Sequence, residues 1–212
     1  MKKGKWVVFD LDGTLNRADL MTVEANRQAQ REFNQPISEP EVIISAVGEK
    51  SDDYLNYIAP SLNKEQRDRY IARVNELQGY YRKLHGCSYK GSDQLLQKLR
   101  AGGYHIAICS NSTERYIIET VEDIGLRAYI DEIQPMEKVL PKEGTLALLL
   151  RRVEAEKAVM VGDRIFDKQA AAKNHIPFIG CLYGYAPSEV HDADRTVSCI
   201  SEIPGAVKDL IG

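Results

Sequence analysis

Apolar residues follow two different rhythms along this chain. Short apolar runs appear at Trp6 to Phe9, Tyr104 to Cys109, Ala158 to Val161 and Pro177 to Cys181. Each is bounded by glycine, proline or acidic residues, which is how strands read. Between them, apolar positions recur every three or four residues, as they do on one face of a helix. That spacing predicts helices over Asp93 to Arg100, Glu114 to Ile124, Thr145 to Val153 and Asp167 to Asn174, with a last helix ending near Ile211. A further short strand is predicted at Glu132 to Gln134, before Pro135. Strands alternating with helices imply right-handed crossovers and an α/β fold, a doubly wound, Rossmann-like parallel sheet.

One long stretch breaks the alternation. From about Thr22 to Leu84 the pattern is helical almost throughout, with Thr22 predicted to cap a helix over Glu24 to Phe33. Glu41 to Val47 carries a second apolar face, and Tyr54, Tyr57 and Ile58 mark a third. The clearest stripe is Tyr70, Val74, Leu77, Tyr81 and Leu84, whose helical spacing predicts packing inside a bundle. The expected organisation is therefore a discontinuous core, residues 1–15 and 88–212, interrupted after its first strand by a helical cap, residues 16–87. Hinges fall near Asn16 and near Cys87 to Gly91.

Composition narrows the class. Hydrophobic residues make up 43% of the chain and charged residues 28%, enough for a packed core and unlike disordered chains. A net charge of −3 argues against a nucleic-acid partner, which usually meets a basic face. No stretch approaches the roughly 18 apolar residues of a membrane span, and the run after the basic N-terminus is too short for a signal peptide. Cys87, Cys109, Cys181 and Cys199 are widely separated and form no CxxC pair, which suits a reduced, cytoplasmic setting and small buried side chains. His85, His105, His175 and His191 show no metal or triad spacing and are read as structural.

Chemistry is expected at the carboxyl ends of the strands, where open parallel sheets bind ligands. The first strand delivers Asp10 and Asp12, the second Ser110 and Asn111, and the Ala158 strand Gly162 and Asp163, with Asp167 one helical turn on. Lys142 stands at the start of the helix leading into the Ala158 strand. Asp10 and Asp12, two apart on an extended chain, would point the same way while Leu11 turns to the core. Such close carboxylates repel unless a cation or proton separates them. With Asp163 they form a hard oxygen set suited to Mg²⁺, whereas thiol and imidazole ligands for zinc are missing. A carboxylate can attack phosphorus and divide one hard hydrolysis into two easier steps. A metal, Lys142 and Ser110 would offset or hold the phosphoryl oxygens, and a second acid would shuttle the proton.

Asp10-Leu11-Asp12-Gly13-Thr14, Ser110, Lys142, and Gly162-Asp163 with Asp167 resemble, in order, the four motifs of the haloacid dehalogenase superfamily. The helical insertion resembles the small cap of its phosphoglycolate phosphatases and β-phosphoglucomutases. This resemblance implies a magnesium-dependent phosphatase with Asp10 as nucleophile, carrying an aspartyl-phosphate, and Asp12 as acid/base. It implies that Asp163 and the Asp12 backbone carbonyl join Asp10 as metal ligands. Ser110, Asn111 and Lys142 would bind phosphate, and Asp167 would make an outer or water-mediated metal contact. True dehalogenases of the superfamily lack the second acid of the first motif, so Asp12 favours phosphoryl chemistry, and a cap over a buried site leaves room only for a small phosphorylated metabolite.

Departures and rivals stand beside this reading. The third motif usually reads lysine-proline, whereas here Lys142 follows Pro141, and Lys138 is a rival for its place. Arg164 stands where Ser or Thr is common, and Asn16-Arg17-Ala18 departs from the small acidic pattern usual after the first motif. Ser110-Asn111 could cap the helix near Thr113, and Asp167 could serve the helix dipole. In Gly48-Glu49-Lys50-Ser51, Lys50 is either a substrate contact of the cap or a solvated lysine. Cys109 and Arg115 satisfy the C-x5-R spacing of cysteine-dependent phosphatases, but no histidine precedes the cysteine and no glycine lies between. A phosphomutase, a receiver-like signalling module and a non-catalytic phosphoryl-binding protein complete the alternatives.

Overall fold

The computed structural model describes residues 3–47, 51–137 and 139–212, so Lys50 and Lys138 lie outside the described residues. The chain forms two compact units, one of residues Met1–Asn16 with Ser88–Gly212 and the other of Arg17–Cys87.

The larger unit is built on six parallel strands, β1 (Gly4–Phe9), β2 (His105–Cys109), β3 (Glu132–Gln134), β4 (Ala155–Gly162), β5 (Phe178–Cys181) and β6 (Arg195–Val197), in the order β3-β2-β1-β4-β5-β6. This is the doubly wound α/β arrangement expected from the alternation of elements. The period-two geometry of β1 sends Val7 and Phe9 to one hydrophobic cluster and Trp6 and Val8 to another, one on each face of the sheet. Among the described residues, this unit's helices are α5 (Ser92–Ala101), α6 (Glu114–Asp123), α7 (Lys142–Val153), α8 (Ile165–Lys173) and α10 (Ile203–Ile211), with the short α9 (Pro187–Val190) before β6. Leu95, Leu96, Ile117, Val121, Ile203 and Val207 bring α5, α6 and α10 to the Val7–Phe9 face. Leu146, Leu149, Ala170 and Ala171 bring α7 and α8 to the other.

The smaller unit contains α1 (Asp19–Glu32), α2 (Pro40–Ser45), α3 (Ser51–Ile58) and α4 (Lys64–His85) around its own core, which includes Ala25, Ala29, Ile43, Leu55, Ile58, Tyr70, Val74 and Leu77. Its two chain ends meet where Arg17 N donates to Cys87 O at 3.0 Å.

Several expectations need correction. Thr22 does not cap a helix: α1 begins at Asp19, and the buried Thr22 hydroxyl accepts from Gln78 Nε2 at 3.3 Å. The apolar stripe of α4 is buried from Tyr70 to Leu77, but Leu84 is 55% exposed. Only Cys109 and Cys181 are buried; Cys87 and Cys199 are exposed, and all four are unpaired. The edge strand β6 had no apolar run to announce it, since Arg195 and Thr196 are exposed and only Val197 is buried. Among the described residues, no helix is long and apolar enough to cross a membrane.

Candidate active site

The order of the strands reverses between β1 and β4, and both carry acids just past their carboxyl ends. Asp10 N donates to Val161 O at 2.8 Å, which prolongs the β1–β4 pairing by one residue and pins Asp10 beside the end of β4. Asp163 follows Gly162, the last residue of β4, and Asp167 stands in the first turn of α8. The three buried carboxylates of Asp10, Asp163 and Asp167 converge, with one oxygen from each lying within 4.8 Å of the others. Lys142, the first residue of α7, lies 2.5 Å by its Nζ from Asp10 Oδ1 and 2.5 Å from Asp167 Oδ1. Both oxygens of Asp163 and the second oxygen of Asp167 are held as well. Asp167 Oδ2 accepts from Arg164 N at 3.0 Å, Asp163 Oδ2 from Tyr185 N at 2.7 Å, and Asp163 Oδ1 from Thr14 Oγ1 at 3.3 Å.

The electrostatics are strained. Burial pushes the Asp10 carboxyl well above the usual carboxylate range against the pull of Lys142, and Asp167 and Asp163 add to the push. Burial, reinforced by Asp167, lifts Asp163 to about 7, against the hydrogen bond from Tyr185 N. Burial disfavours the Lys142 ammonium, yet Asp10 and Asp167 outweigh it and hold the lysine above its ordinary value. Three carboxylates facing one ammonium leave an excess of negative charge in a buried place, which a divalent cation relieves.

The donor set fits magnesium. It is all oxygen, with clustered carboxylates and no soft ligand. The backbone around it is also cut to leave room. A Cβ on Gly13 would meet Asp163 Oδ2 at 2.3 Å, one on Gly162 would meet Asp167 Cγ at 2.3 Å, and one on Gly184 would meet Asp163 Cβ at 2.2 Å.

Asp12 behaves differently from expectation. The premise of an extended chain fails at Leu11, whose carbonyl accepts from the N–H groups of Thr14, Leu15 and Asn16 and turns the backbone. The Asp12 side chain stands outside the three-carboxylate group. Its Oδ1 accepts from Asn16 Nδ2 at 2.7 Å and from the Tyr116 hydroxyl at 3.0 Å. Asp167, by contrast, brings a carboxylate oxygen within 4.8 Å of those of Asp10 and Asp163. It still serves the start of α8 through Arg164 N, so the capping role and the place in the cluster coexist.

The phosphate-binding candidates sit at the same edge of the sheet. The β1–β2 register pairs Phe9 with Ile108, so Ser110 leaves β2 beside the acids. Its N–H donates to Gln134 O at 3.1 Å, and its Oγ accepts from Ser112 N at 3.2 Å. Ser110 and Asn111 are not the helix cap; Thr113 is, accepting from Tyr116 N at 3.4 Å. Arg164 is tied to Glu189 at 3.1 Å, and Ile165 N donates to the same carboxylate oxygen. The C-x5-R pair does not assemble: burial pushes the Cys109 thiol up to about 11, while the exposed Arg115 pairs with Glu119.

Sequence reasoning missed Thr14 as a partner of Asp163, and also Gly184-Tyr185. The latter lie just past the end of β5, so reading that strand end like the others would have found them. The Tyr116 contact carries no local signal, since its partner is 104 residues away.

Comparison with known proteins agrees with this geometry. Residues 7–181 match the family model described as haloacid dehalogenase-like hydrolase. The chain is 28% identical to a phosphoglycolate phosphatase of Chromobacterium violaceum, covering 99% of both chains. It is 26% identical to a phosphoglycolate phosphatase of Thiobacillus denitrificans, covering 93% of each. A crystal structure of a predicted phosphatase from Clostridium acetobutylicum shares the fold with a TM-score of 0.85 at 22% identity, covering 97% of this chain and 99% of that one. With the fold, the ordered motifs and a family match spanning most of its length, the chain belongs to the haloacid dehalogenase-like hydrolases.

Proposed function

We propose that the protein is a Mg²⁺-dependent phosphatase that hydrolyses a small phosphomonoester through an aspartyl-phosphate on Asp10. The observation that carries this reading is the Asp10 carboxylate at the end of β1, gathered with Asp163 and Asp167 and held 2.5 Å from Lys142 Nζ. Asp10, Asp163 and Asp167, with the Asp12 backbone carbonyl, would hold Mg²⁺. Bound there, the ion supplies positive charge for the phosphoryl oxygens and keeps Asp10 ionised.

The chain's own groups supply the rest. An Asp10 oxygen attacks phosphorus, and the bond to the leaving oxygen breaks as Asp12 gives that oxygen a proton. Lys142 moves its charge from the resting carboxylates toward the phosphoryl group, and Ser110 with Asn111 donates to its oxygens. Asp12, now anionic, takes a proton from the water that attacks the phosphoaspartate, releasing phosphate and restoring both acids. The curated relatives named as phosphoglycolate phosphatases make phosphoglycolate the first substrate to test. In chain order the helical unit occupies the place of the family's cap, and we assign it that role. The four unpaired cysteines suit a reducing cytoplasm.

Phosphate release from phosphoglycolate and from p-nitrophenyl phosphate, with Mg²⁺ and with EDTA, tests this directly. Wild-type activity should require Mg²⁺, and Asp10→Asn should lose at least about 10³-fold, since it removes the attacking atom. An Asp10→Asn enzyme with full activity on either substrate overturns the assignment.

A further inference from the structure

The hydrogen bond from the Tyr116 hydroxyl to Asp12 Oδ1, 3.0 Å across 104 residues of chain, connects two pieces of the site that the motifs do not link. Asp12 lies in the turn after β1, where Gly13 takes φ +87° and the Leu11 carbonyl gathers three N–H groups. A side chain on such a turn is not oriented by a regular element. Tyr116, by contrast, is anchored. Its backbone N–H binds the Thr113 cap of α6, and its ring packs against the core cluster of Val7, Phe9, Ile117 and Val121. The hydroxyl therefore projects from a fixed helix onto a carboxylate carried by an irregular turn. Asn16 reaches the same oxygen from the opposite end of the turn, with Nδ2 at 2.7 Å. Two donors converging on one carboxylate oxygen fix both its position and its plane.

We infer that Tyr116 is a positioning residue for proton transfer: it holds the Asp12 carboxyl in line with the oxygen that Asp12 protonates. This rests on the reading of Asp12 as acid/base given above. Removal of the hydroxyl takes one of two donors from Asp12 Oδ1, so the carboxyl samples orientations from which the proton does not reach the leaving oxygen. The defect then grows with the basicity of the leaving group. A nitrophenolate departs with little help, whereas a more basic oxygen needs the proton in the transition state.

The test is a leaving-group series of substituted aryl phosphates from p-nitrophenyl to phenyl phosphate, measured as kcat/KM at saturating Mg²⁺. This quantity reports steps up to phosphoryl transfer. Tyr116→Phe keeps the ring and its packing, and thermal unfolding checks that it folds like the wild type. It should lose about tenfold on phenyl phosphate and less than about threefold on p-nitrophenyl phosphate, a part of the roughly 10²–10⁴ that proton transfer contributes. Asp12→Asn should show the same selectivity more strongly, and Tyr116→Phe should add nothing to the selectivity of Asp12→Asn. If Asp12→Asn is selective and Tyr116→Phe is not, the positioning role is refuted alone. If Asp12→Asn lowers all substrates equally, the acid/base reading itself fails.

Discussion

The ammonium of Lys142 lies 2.5 Å from Oδ1 of Asp10 although 132 residues separate them. The contact joins the start of α7 to the end of β1, and the same ammonium reaches Asp167. Its charge thus directly faces two of the three buried acids. Breaking a buried ion pair by removing one partner costs about 3–5 kcal/mol. Lys142→Met should show a loss of that order in denaturant unfolding with EDTA. Saturating Mg²⁺ should return part of it. A variant as stable as wild type in EDTA would refute the lysine's role as counter-charge.

Stability should depend on pH with a sign set by Asp163. Its native carboxyl is lifted to about 7, mainly by burial and then by Asp167. In the unfolded chain such a group titrates near ~4. Between the two values the folded protein holds a proton that the unfolded chain has lost, so this contribution to stability falls as pH rises from about 4 to about 7. Asp10, raised in the same direction, acts with the same sign. Mg²⁺ takes the proton's place, so its stabilising effect should grow across that window. Thermal unfolding at pH 5.5 and pH 8, each with EDTA and with Mg²⁺, checks this. A metal increment of equal size at both pH values would contradict it.

The sequence displayed the β1 and β4 acids because each ends a run of buried apolar residues, Trp6 to Phe9 and Ala158 to Val161. The true start of β4 was hidden, since Glu156 and Lys157 are strand residues that face solvent. The edge strand β6 offered only one buried residue. At the site, strand ends named Asp10, Asp163 and Ser110. Asp167 was legible as well, one helical turn past Asp163. What stayed hidden is that Leu11 turns the chain before Asp12 and that Tyr116 reaches the Asp12 carboxylate. Those facts depend on side chains meeting across long separations, which periodicity does not encode.

Gly13 and Gly103 offer a matched pair. Both take positive φ, +87° and +83°, so an alanine at either is strained by roughly 1–2 kcal/mol. At Gly103 a Cβ meets nothing within 4 Å, whereas at Gly13 it meets Asp163 Oδ2 at 2.3 Å. Gly103→Ala should therefore lose stability but keep wild-type Mg²⁺ affinity. Gly13→Ala should displace the Asp163 carboxylate and lose at least tenfold in Mg²⁺ affinity by calorimetric titration. Equal affinities in the two variants would show that the space beside Asp163 does not matter for the ion.

Thiol chemistry separates the carboxylate reading from the C-x5-R alternative. Cys109 is buried on β2 with its thiol pushed up to about 11, and Cys181 is buried on β5, while Cys87 and Cys199 are exposed. Alkylation needs an accessible thiolate. Iodoacetamide on the native protein near pH 7.5 should therefore label Cys87 and Cys199 and spare Cys109 and Cys181, with all four labelled after denaturation. Peptide mass spectrometry reads the pattern. Cys109→Ala should keep phosphatase activity within a few-fold of wild type, its effect limited to a small cavity beside Thr145 Oγ1, now 3.9 Å from the sulfur. Because the thiolate would be the attacking atom in a cysteine phosphatase, loss of all activity in Cys109→Ala with an unchanged melting temperature would transfer the nucleophile's role from Asp10 to the cysteine.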